Sequence, residues 1–276
     1  MTTGSAYDSE EIPGFTDLIN RLSKKDICSL GVIDWACPIP YFGNPSTSVL
    51  ATVGINPSNR EFETKDGKEL AGCYRRFPTL RSLRISAWSD ISAEHIQEIQ
   101  HSCIKYFGIN PYDAWFKPLD LLISGTRSSF YGARPTACHL DLIPYATSNK
   151  WSALTGQQRK KLIELSIEYL ATTLAQSDIK YLVLNGRSVI EVFKEMSGVS
   201  FKEHQQPSWN LRRTNTRDVL GYAYTGKIRS LSGISFKRDI SVLGFNHNIQ
   251  SSFGVTSDVK KSISKWIGEK IVEATK

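Results

Sequence analysis

Short apolar runs alternate with amphipathic helical segments along this chain, and this alternation limits its fold more than any other feature. The apolar runs occupy residues 48–53, 137–143, 179–186, 219–226 and 240–246. Helical periodicity covers residues 15–30, 75–88, 92–108, 156–177, 187–196 and 257–274. Strands that alternate with helices predict a mostly parallel central sheet covered on both faces, which is a three-layer αβα fold of the α/β class.

The chain reads as one domain with a short arm. Its 276 residues are enough for one sizeable α/β core. Residues 1–14 are small, polar and acidic, and we predict a flexible N-terminal arm there. No repeat or low-complexity linker interrupts the remainder of the sequence, so we predict a single domain over 15–276.

Charge and cysteine usage limit the possible partners and compartment. The 34 Lys and Arg residues against 27 Asp and Glu residues give a net charge of +7, which is consistent with a polyanionic partner. The five cysteines form no CxxC pair and no secretory signal precedes them, so we expect reduced thiols in a cytoplasmic or nucleoid-associated bacterial protein. Four of them could hold an iron–sulfur cluster, but they lack close ligand pairs, and the histidines lack metal-ligand spacing. We therefore predict no metal and no cofactor, and the absence of a 20-residue apolar stretch predicts no membrane span.

Polar residues follow three of the predicted strands. In parallel sheets, ligands bind beyond the carboxyl ends of the strands. Asn56 follows the run "SVLATV", Asp141 ends another strand, and the polar segment "FNHNIQSS" covers residues 245–252. An Asx-type turn at Asn56-Pro57 is the alternative interpretation of the first of these. Together the three strand ends predict a site at one edge of the sheet.

The order of these segments resembles a known enzyme superfamily. "GINPS" (54–58) is similar to the first active-site motif of the uracil-DNA glycosylase superfamily, whose mismatch-specific and single-strand-selective branches carry Gly-Ile/Met-Asn-Pro-Gly. "RRF" (75–77), "CHLDLI" (138–143), "LVLNG" (182–186) and "FNHNIQSSFG" (245–254) follow in the order of the later family segments. Only the first match is near-literal, and the shared order covers about two-thirds of the chain. The resemblance implies a uracil-DNA-glycosylase-like fold and a monofunctional DNA glycosylase.

The resemblance also implies roles for individual residues. A glycosylase cuts the C1′–N bond of a base that has left the stack, so it needs a positioned water and a donor toward the departing base. Asn56 would position the water, although an amide cannot act as a strong base. His247 would donate to O2 of the base, or is a solvent-exposed loop histidine. Phe77 would stack on the base, or packs in the core. Ile55 would contact the base.

Asp141 departs from the family pattern. The uracil readers of the family place Asn here, whereas an ionised carboxylate only accepts hydrogen bonds. It therefore suits the exocyclic amine of cytosine and repels O4 of uracil. We predict a modified cytosine, hydroxymethylated or glucosylated as in some bacterial viruses, and hence a role in phage defence. Alternatively, Asp141 is misaligned and His139 is the pocket residue, or Asp141 pairs with an arginine.

DNA contacts are predicted on both sides of the site. A basic stretch with interleaved aromatic residues over 212–238 suits a surface that follows the DNA backbone. The side chain that enters the duplex falls near Ser251, where the family has an apolar residue, and Ile249 or Gln250 could replace it. The predicted DNA-binding residues are Ser58, Arg76, Asn248, Gln250, Ser251, Arg229 and Lys237. We expect a monomer that binds single- or double-stranded DNA.

Three other functions remain open at this point. The chain could be a uracil or mismatch glycosylase of base-excision repair. It could be a catalytically inactive DNA-binding relative, or an enzyme that acts on small nucleosides or nucleotides. Salt dependence separates the last of these, because binding to the DNA backbone weakens steeply as salt rises.

Overall fold

A computed structural model of the chain describes residues 14–133, 136–214, 217–250 and 253–275. The predicted arm lies outside the described residues except for Gly14. The strands are β1 (Tyr41–Phe42), β2 (Leu50–Gly54), β3 (Ala137–Asp141), β4 (Tyr181–Asn185), β5 (Lys202–Gln205), β6 (Tyr222–Leu231) and β7 (Ile234–Phe245). The α-helices are α1 (Phe15–Leu22), α2 (Lys25–Cys28), α3 (Leu80–Leu83), α4 (Ala93–Ile104), α5 (Tyr106–Ile109), α6 (Asp113–Ile123), α7 (Gly156–Gln176), α8 (Arg187–Ser197) and α9 (Ser257–Thr275). Within the described part of the chain, none of these helices combines the length and apolar character needed to cross a bilayer.

The seven strands form one mixed sheet in the order β1-β3-β2-β4-β7-β6-β5. The four central strands β3, β2, β4 and β7 are parallel, whereas β1, β6 and β5 pair antiparallel at the two sides. All residues of β2 and β3 are buried, so both faces of the central sheet are covered. The predicted α/β class is confirmed, and the arrangement is compatible with three layers.

The register of the central strands brings their carboxyl ends to one edge. Gly54 of β2 pairs with Asp141 of β3, and Asn185 of β4 pairs with Phe245 of β7. The segments that follow these strands therefore meet beyond the same edge. This placement positions the candidate site.

Several helices follow the predicted sequence signals. Ser92 caps α4, because its side chain accepts a hydrogen bond from the His95 N–H. Thr155 caps α7 in the same way through Gln158. Helix α8 starts directly after β4, as the apolar run and the following periodicity predict.

Other elements differ from the prediction. The helix predicted over 75–88 is reduced to α3, because Pro78 disfavours helix before it and Arg84, at φ 58°, ends the helix. Helix α6 was not predicted. The polar stretch over 199–218, interpreted as a loop, contains the edge strand β5, which pairs only with β6 and has no buried face to mark it.

Candidate functional site

A cavity of about 650 Å³ opens beyond the carboxyl ends of β2, β3 and β4. Its polar lining combines amide, carboxyl and imidazole groups, from Asn56, Glu61, His139, Asp141, Asn185 and Asn248. Its aromatic lining consists of Phe42, Tyr112, Trp115, Phe116 and Trp151. A concave site with apolar walls and a few convergent polar groups is typical of a small-ligand pocket.

The amide of Asn56 has a fixed orientation in this cavity. Its Nδ2 donates to the carbonyl oxygens of Pro57 at 3.2 Å and Tyr145 at 3.3 Å, and to Oγ1 of Thr147 at 3.1 Å. Carbonyl oxygens only accept, so the NH₂ group must face them. Among the described residues, Oδ1 of Asn56 has no hydrogen-bond partner, so it is the acceptor available to a water or ligand.

A chain of hydrogen-bonding groups runs along the β2–β3 pair. The hydroxyl of Thr52 lies 2.7 Å from Nδ1 of His139, and Nε2 of His139 lies 3.4 Å from Oδ1 of Asp141. Burial raises the pKa of Asp141, and the hydrogen bond from His139 opposes that shift. His139 and Asp141, the two alternative base-contacting residues of the sequence analysis, both line the cavity. Over the residues that the structure describes, the ionic partner of Asp141 is His139 and not an arginine.

Gly54 gives the pair its space. A Cβ atom at this position would lie 2.4 Å from Oδ1 of Asp141 and 2.9 Å from Nε2 of His139. Real Cβ atoms do not approach other atoms so closely, so only glycine allows this packing without a shift. The first residue of "GINPS" is therefore required by the side chains of the neighbouring strand.

Glu61 is a second buried carboxyl group in the cavity, and the sequence analysis did not single it out. It ends a short 3₁₀ helix over Asn59–Glu61 and is 3% exposed. Oε2 accepts a hydrogen bond of 2.7 Å from the hydroxyl of Tyr106 and lies 3.8 Å from Nε of Arg76. Burial raises the pKa of Glu61 to about 7, against the opposing effects of Tyr106 and Arg76. A carboxyl group five residues beyond Asn56, shortly after the "GINPS" segment, is the available sequence signal.

The aromatic wall is formed by residues other than the predicted one. Phe42 and Phe116 line the cavity, and their rings meet the imidazole of His139 with centroids at 5.6 and 5.4 Å. Phe77 is 1% exposed and stacks on Tyr106 behind Phe42, without lining the cavity. The prediction that Phe77 stacks on a ligand is corrected, because the ring is enclosed by other aromatic side chains.

His247 is not brought to the cavity. The side chain is 2% exposed, and its Nε2 lies 2.7 Å from the carbonyl oxygen of Trp209. Because that oxygen only accepts, Nε2 carries the proton and donates it there. Burial lowers the pKa of His247, so the neutral form has no second N–H to offer. The predicted donation from His247 to a base is therefore corrected.

The segment after β7 reaches the cavity through Asn248. A Cβ atom at Gly186 would lie 3.1 Å from Cβ of Asn248, so the glycine, at φ 102°, allows the segment to approach helix α8. Gln250 is held internally, since its Oε1 accepts from Nδ2 of Asn185 at 2.8 Å and its Nε2 donates to the Trp115 carbonyl at 2.9 Å. The side-chain amide of Gln250 is thus used in internal hydrogen bonds, which disagrees with its assignment to DNA contact. Ser251 lies outside the described residues.

Ile249 is likewise held in the interior. It is 5% exposed, and its N–H donates to Oδ1 of Asn185 at 3.1 Å. It is therefore not available to enter a duplex in place of Ser251.

Ile55, predicted to contact the base, and Ser58, predicted to contact DNA, both line the cavity, whereas Arg76 does not. Nη1 of Arg76 donates to the carbonyl of Arg60 at 2.9 Å, and its guanidinium lies over the ring of Tyr112 at 5.4 Å. The arginine is thus committed to internal contacts, which corrects its assignment to phosphate binding.

The two predicted basic contacts in the β6–β7 hairpin lie far from the cavity. Lys237 precedes the carboxyl end of β7 by eight residues, which is about 25 Å of extended chain. Arg229 pairs with Asp239 at 2.6 Å on the same hairpin. The cavity lies beyond the opposite edge of the sheet, so neither residue lines it, and their contact with DNA stays a prediction.

No protein-family model matches the chain, and no curated protein gives a significant sequence match. In the described ranges, no group of three or more His, Cys, Asp or Glu side chains is arranged to hold a metal ion.

Proposed function

We propose that the chain is a DNA glycosylase that receives an extruded pyrimidine nucleotide in this cavity and hydrolyses its N-glycosidic bond. We include in this proposal a uracil-DNA-glycosylase-like fold and membership of that superfamily. The observation that carries it is the fixed amide of Asn56, whose Oδ1 is left without a partner in an aromatic cavity at the strand ends. A water that donates to Oδ1 is oriented by the amide but is not deprotonated by it, because an amide is not a strong base. We therefore expect a modest rate of base release.

The walls of the cavity suit a flat base. A flipped base needs apolar or aromatic surfaces and groups that read its hydrogen-bonding edge. Phe42 and Phe116 supply aromatic surface beside His139 and Asp141. The carboxylate of Asp141 accepts from an exocyclic amine, which favours a cytosine-type edge over uracil.

The size and outer lining of the cavity favour a substituted base. Its volume of about 650 Å³ lies within the range of pockets that hold drug-sized ligands, and it exceeds what an unsubstituted pyrimidine needs. Polar side chains follow one another along the segment after Thr147, from Ser148, Asn149, Lys150 and Ser152. Hydroxyl, amide and ammonium groups can hydrogen-bond the hydroxyls of a hydroxymethyl or sugar substituent. Removal of such a cytosine would serve defence against phages with modified genomes.

A panel of labelled oligonucleotides tests the proposal. Single- and double-stranded DNA carrying uracil, 5-hydroxymethyluracil, 5-hydroxymethylcytosine or glucosylated 5-hydroxymethylcytosine is incubated with the protein, and abasic sites are cleaved by alkali. We expect cleavage at a modified cytosine, with activity that falls steeply as salt increases. Release of uracil without any cytosine product would support the repair alternative. Binding with no cleavage of any oligonucleotide would support an inactive DNA-binding relative, and salt-independent cleavage of free nucleosides would contradict a DNA substrate.

A further inference from the structure

We propose that Glu61 is the acid that protonates the departing base, the leaving-group role that His247 cannot fill. This inference rests on the proposed glycosylase function. It assigns the proton to one oxygen of one carboxyl group in the cavity.

The Tyr106 hydroxyl has a fixed orientation. Its oxygen accepts a hydrogen bond of 2.8 Å from the N–H of Tyr112. Its proton is therefore directed to Oε2 of Glu61, at 2.7 Å. Arg76 approaches the same oxygen at 3.8 Å. The Tyr106 hydrogen bond thus uses Oε2 as an acceptor, and the charge of Arg76 lies nearest to the same oxygen without a hydrogen bond.

The orientation of Tyr106 determines which oxygen of a neutral Glu61 carries the proton. With Oε2 used as an acceptor, a neutral Glu61 carries its own proton on Oε1. Within the described residues, Oε1 has no hydrogen-bond partner. Glu61 lines the cavity, whereas Tyr106 and Arg76 lie behind it and do not. The oxygen that bears the proton is therefore the one left for a ligand.

The surroundings keep both forms of the carboxyl group accessible near neutral pH. Tyr106 faces Glu61 from α5, Arg76 faces it from the segment before α3, and Asp141 faces it from β3. Burial and the negative charge of Asp141 favour the neutral carboxyl, whereas Tyr106 and Arg76 favour the carboxylate. A catalytic acid is most effective when its pKa lies near the working pH.

The chemical step balances without a further reactant. The C1′–N1 bond breaks, and its electron pair stays with the base. The proton on Oε1 moves to O2 or N3 of the base, the atoms that carry its negative charge, so a neutral base departs. The water held by Asn56 adds its oxygen to C1′ and loses a proton, which restores the carboxyl group through solvent. One water is consumed, and a free base and an abasic site result.

The pH profile of single-turnover base release tests this role. On the oligonucleotide that the wild type cleaves best, we expect the rate constant to fall about tenfold per pH unit above roughly pH 7, as Glu61 ionises. Glu61→Gln keeps a hydrogen-bond donor but cannot transfer a proton, so it should lose about 100-fold of the rate and this alkaline limb, with DNA affinity unchanged.

Tyr106→Phe gives an independent test that does not remove the carboxyl group. It deletes a hydrogen bond that favours the carboxylate, so the alkaline limb should move to higher pH by roughly one unit. Tyr131→Phe is the matched control. The Tyr131 hydroxyl donates a hydrogen bond of 2.9 Å to Asp113, and neither residue lines the cavity. It should leave the profile in place.

The outcomes separate the inference from the function on which it rests. If the wild type releases no base from any oligonucleotide, the glycosylase proposal fails and the role of Glu61 fails with it. If the wild type releases a base while Glu61→Gln keeps the same alkaline limb, or Tyr106→Phe leaves the limb unmoved, only the role of Glu61 is overturned.

Discussion

Oδ1 of Asp141 lies 3.4 Å from Nε2 of His139, and both side chains line the same cavity. Because a carboxylate only accepts hydrogen bonds, the imidazole donates to it, and the Thr52 hydroxyl at 2.7 Å is left to donate to Nδ1. These hydrogen bonds hold the carboxylate of Asp141 in place as the acceptor that lines the cavity.

Asp141→Asn should shift the preference of the enzyme toward bases with a carbonyl group at position 4. The new amide can donate where the carboxylate could only accept, and one such contact is worth about 1–3 kcal/mol. We expect the ratio of kcat/KM for 5-hydroxymethylcytosine over 5-hydroxymethyluracil DNA to fall by about tenfold or more. Asp239→Asn, on the distant hairpin, is the control. An unchanged ratio in Asp141→Asn would remove the residue from base recognition.

Gly54→Ala should disrupt the same pair without changing any polar group. The added Cβ would overlap Oδ1 of Asp141 and Nε2 of His139, so one of the two side chains must move. We expect a loss of activity of about 100-fold from this misplacement, measured as single-turnover base release. At Gly108 a Cβ would meet no atom within 4 Å, so Gly108→Ala is the matched control. Equal activity of the two variants would show that the close packing at Gly54 has no role in catalysis.

His247 should matter for stability and not for chemistry. His247→Ala leaves the Trp209 carbonyl without its donor, which costs about 1–3 kcal/mol in the free energy of unfolding. Activity per folded molecule should remain within a few-fold of the wild type, because the imidazole does not line the cavity. Urea unfolding and single-turnover kinetics on the same sample measure both quantities. A large loss of rate at normal stability would restore His247 to the chemical step.

The pH dependence of stability gives His247 a second signature. Burial lowers its pKa, so the unfolded chain binds more protons than the native one below about pH 6.5. The stability linked to His247 is therefore present above that pH and is lost as the pH falls. His247→Gln should reduce this acid-side slope in urea unfolding. A slope as steep as that of the wild type would assign it to other groups.

Glu61 should make the protein less stable as the pH rises through neutrality. Its pKa of about 7 in the folded protein exceeds the ordinary value of 4.5, so the native state binds the extra proton between these values. The contribution of Glu61 to the free energy of unfolding is fully present below pH 4.5 and is lost as the pH rises through 7. The loss is on the order of 3 kcal/mol. Glu61→Gln should therefore gain stability relative to the wild type at pH 8 but not at pH 4. A pH-independent difference would contradict the raised pKa.

The parts of the site that follow strand ends could be predicted from sequence. The sequence predicts Asn56 and Asp141 at the site because a buried strand turns abruptly polar at each, and parallel strands end at one edge. The register of β2 against β3 then brings Gly54 beside Asp141. Local pattern and sheet topology are sufficient for these positions.

The remaining parts depend on packing between distant segments, which periodicity does not encode. Phe77 and Phe116 look alike in sequence, yet only Phe116 lines the cavity, whereas Phe77 lies behind Phe42. His247 and Asn248 are neighbours, yet only Asn248 faces the cavity. Glu61 was missed because its burial depends on Tyr106, 45 residues away, and no nearby apolar pattern predicts it.

The most direct measurement of the central claim is single-turnover release of free base from a modified-cytosine oligonucleotide, detected by mass spectrometry, for the wild type and Asn56→Ala. The account predicts that the wild type yields the free base and an alkali-labile abasic site, whereas Asn56→Ala binds the same DNA with similar affinity and releases at least about 100-fold less base. Release by Asn56→Ala at the wild-type rate, or no free base from any modified or deaminated oligonucleotide with the wild type, would contradict it.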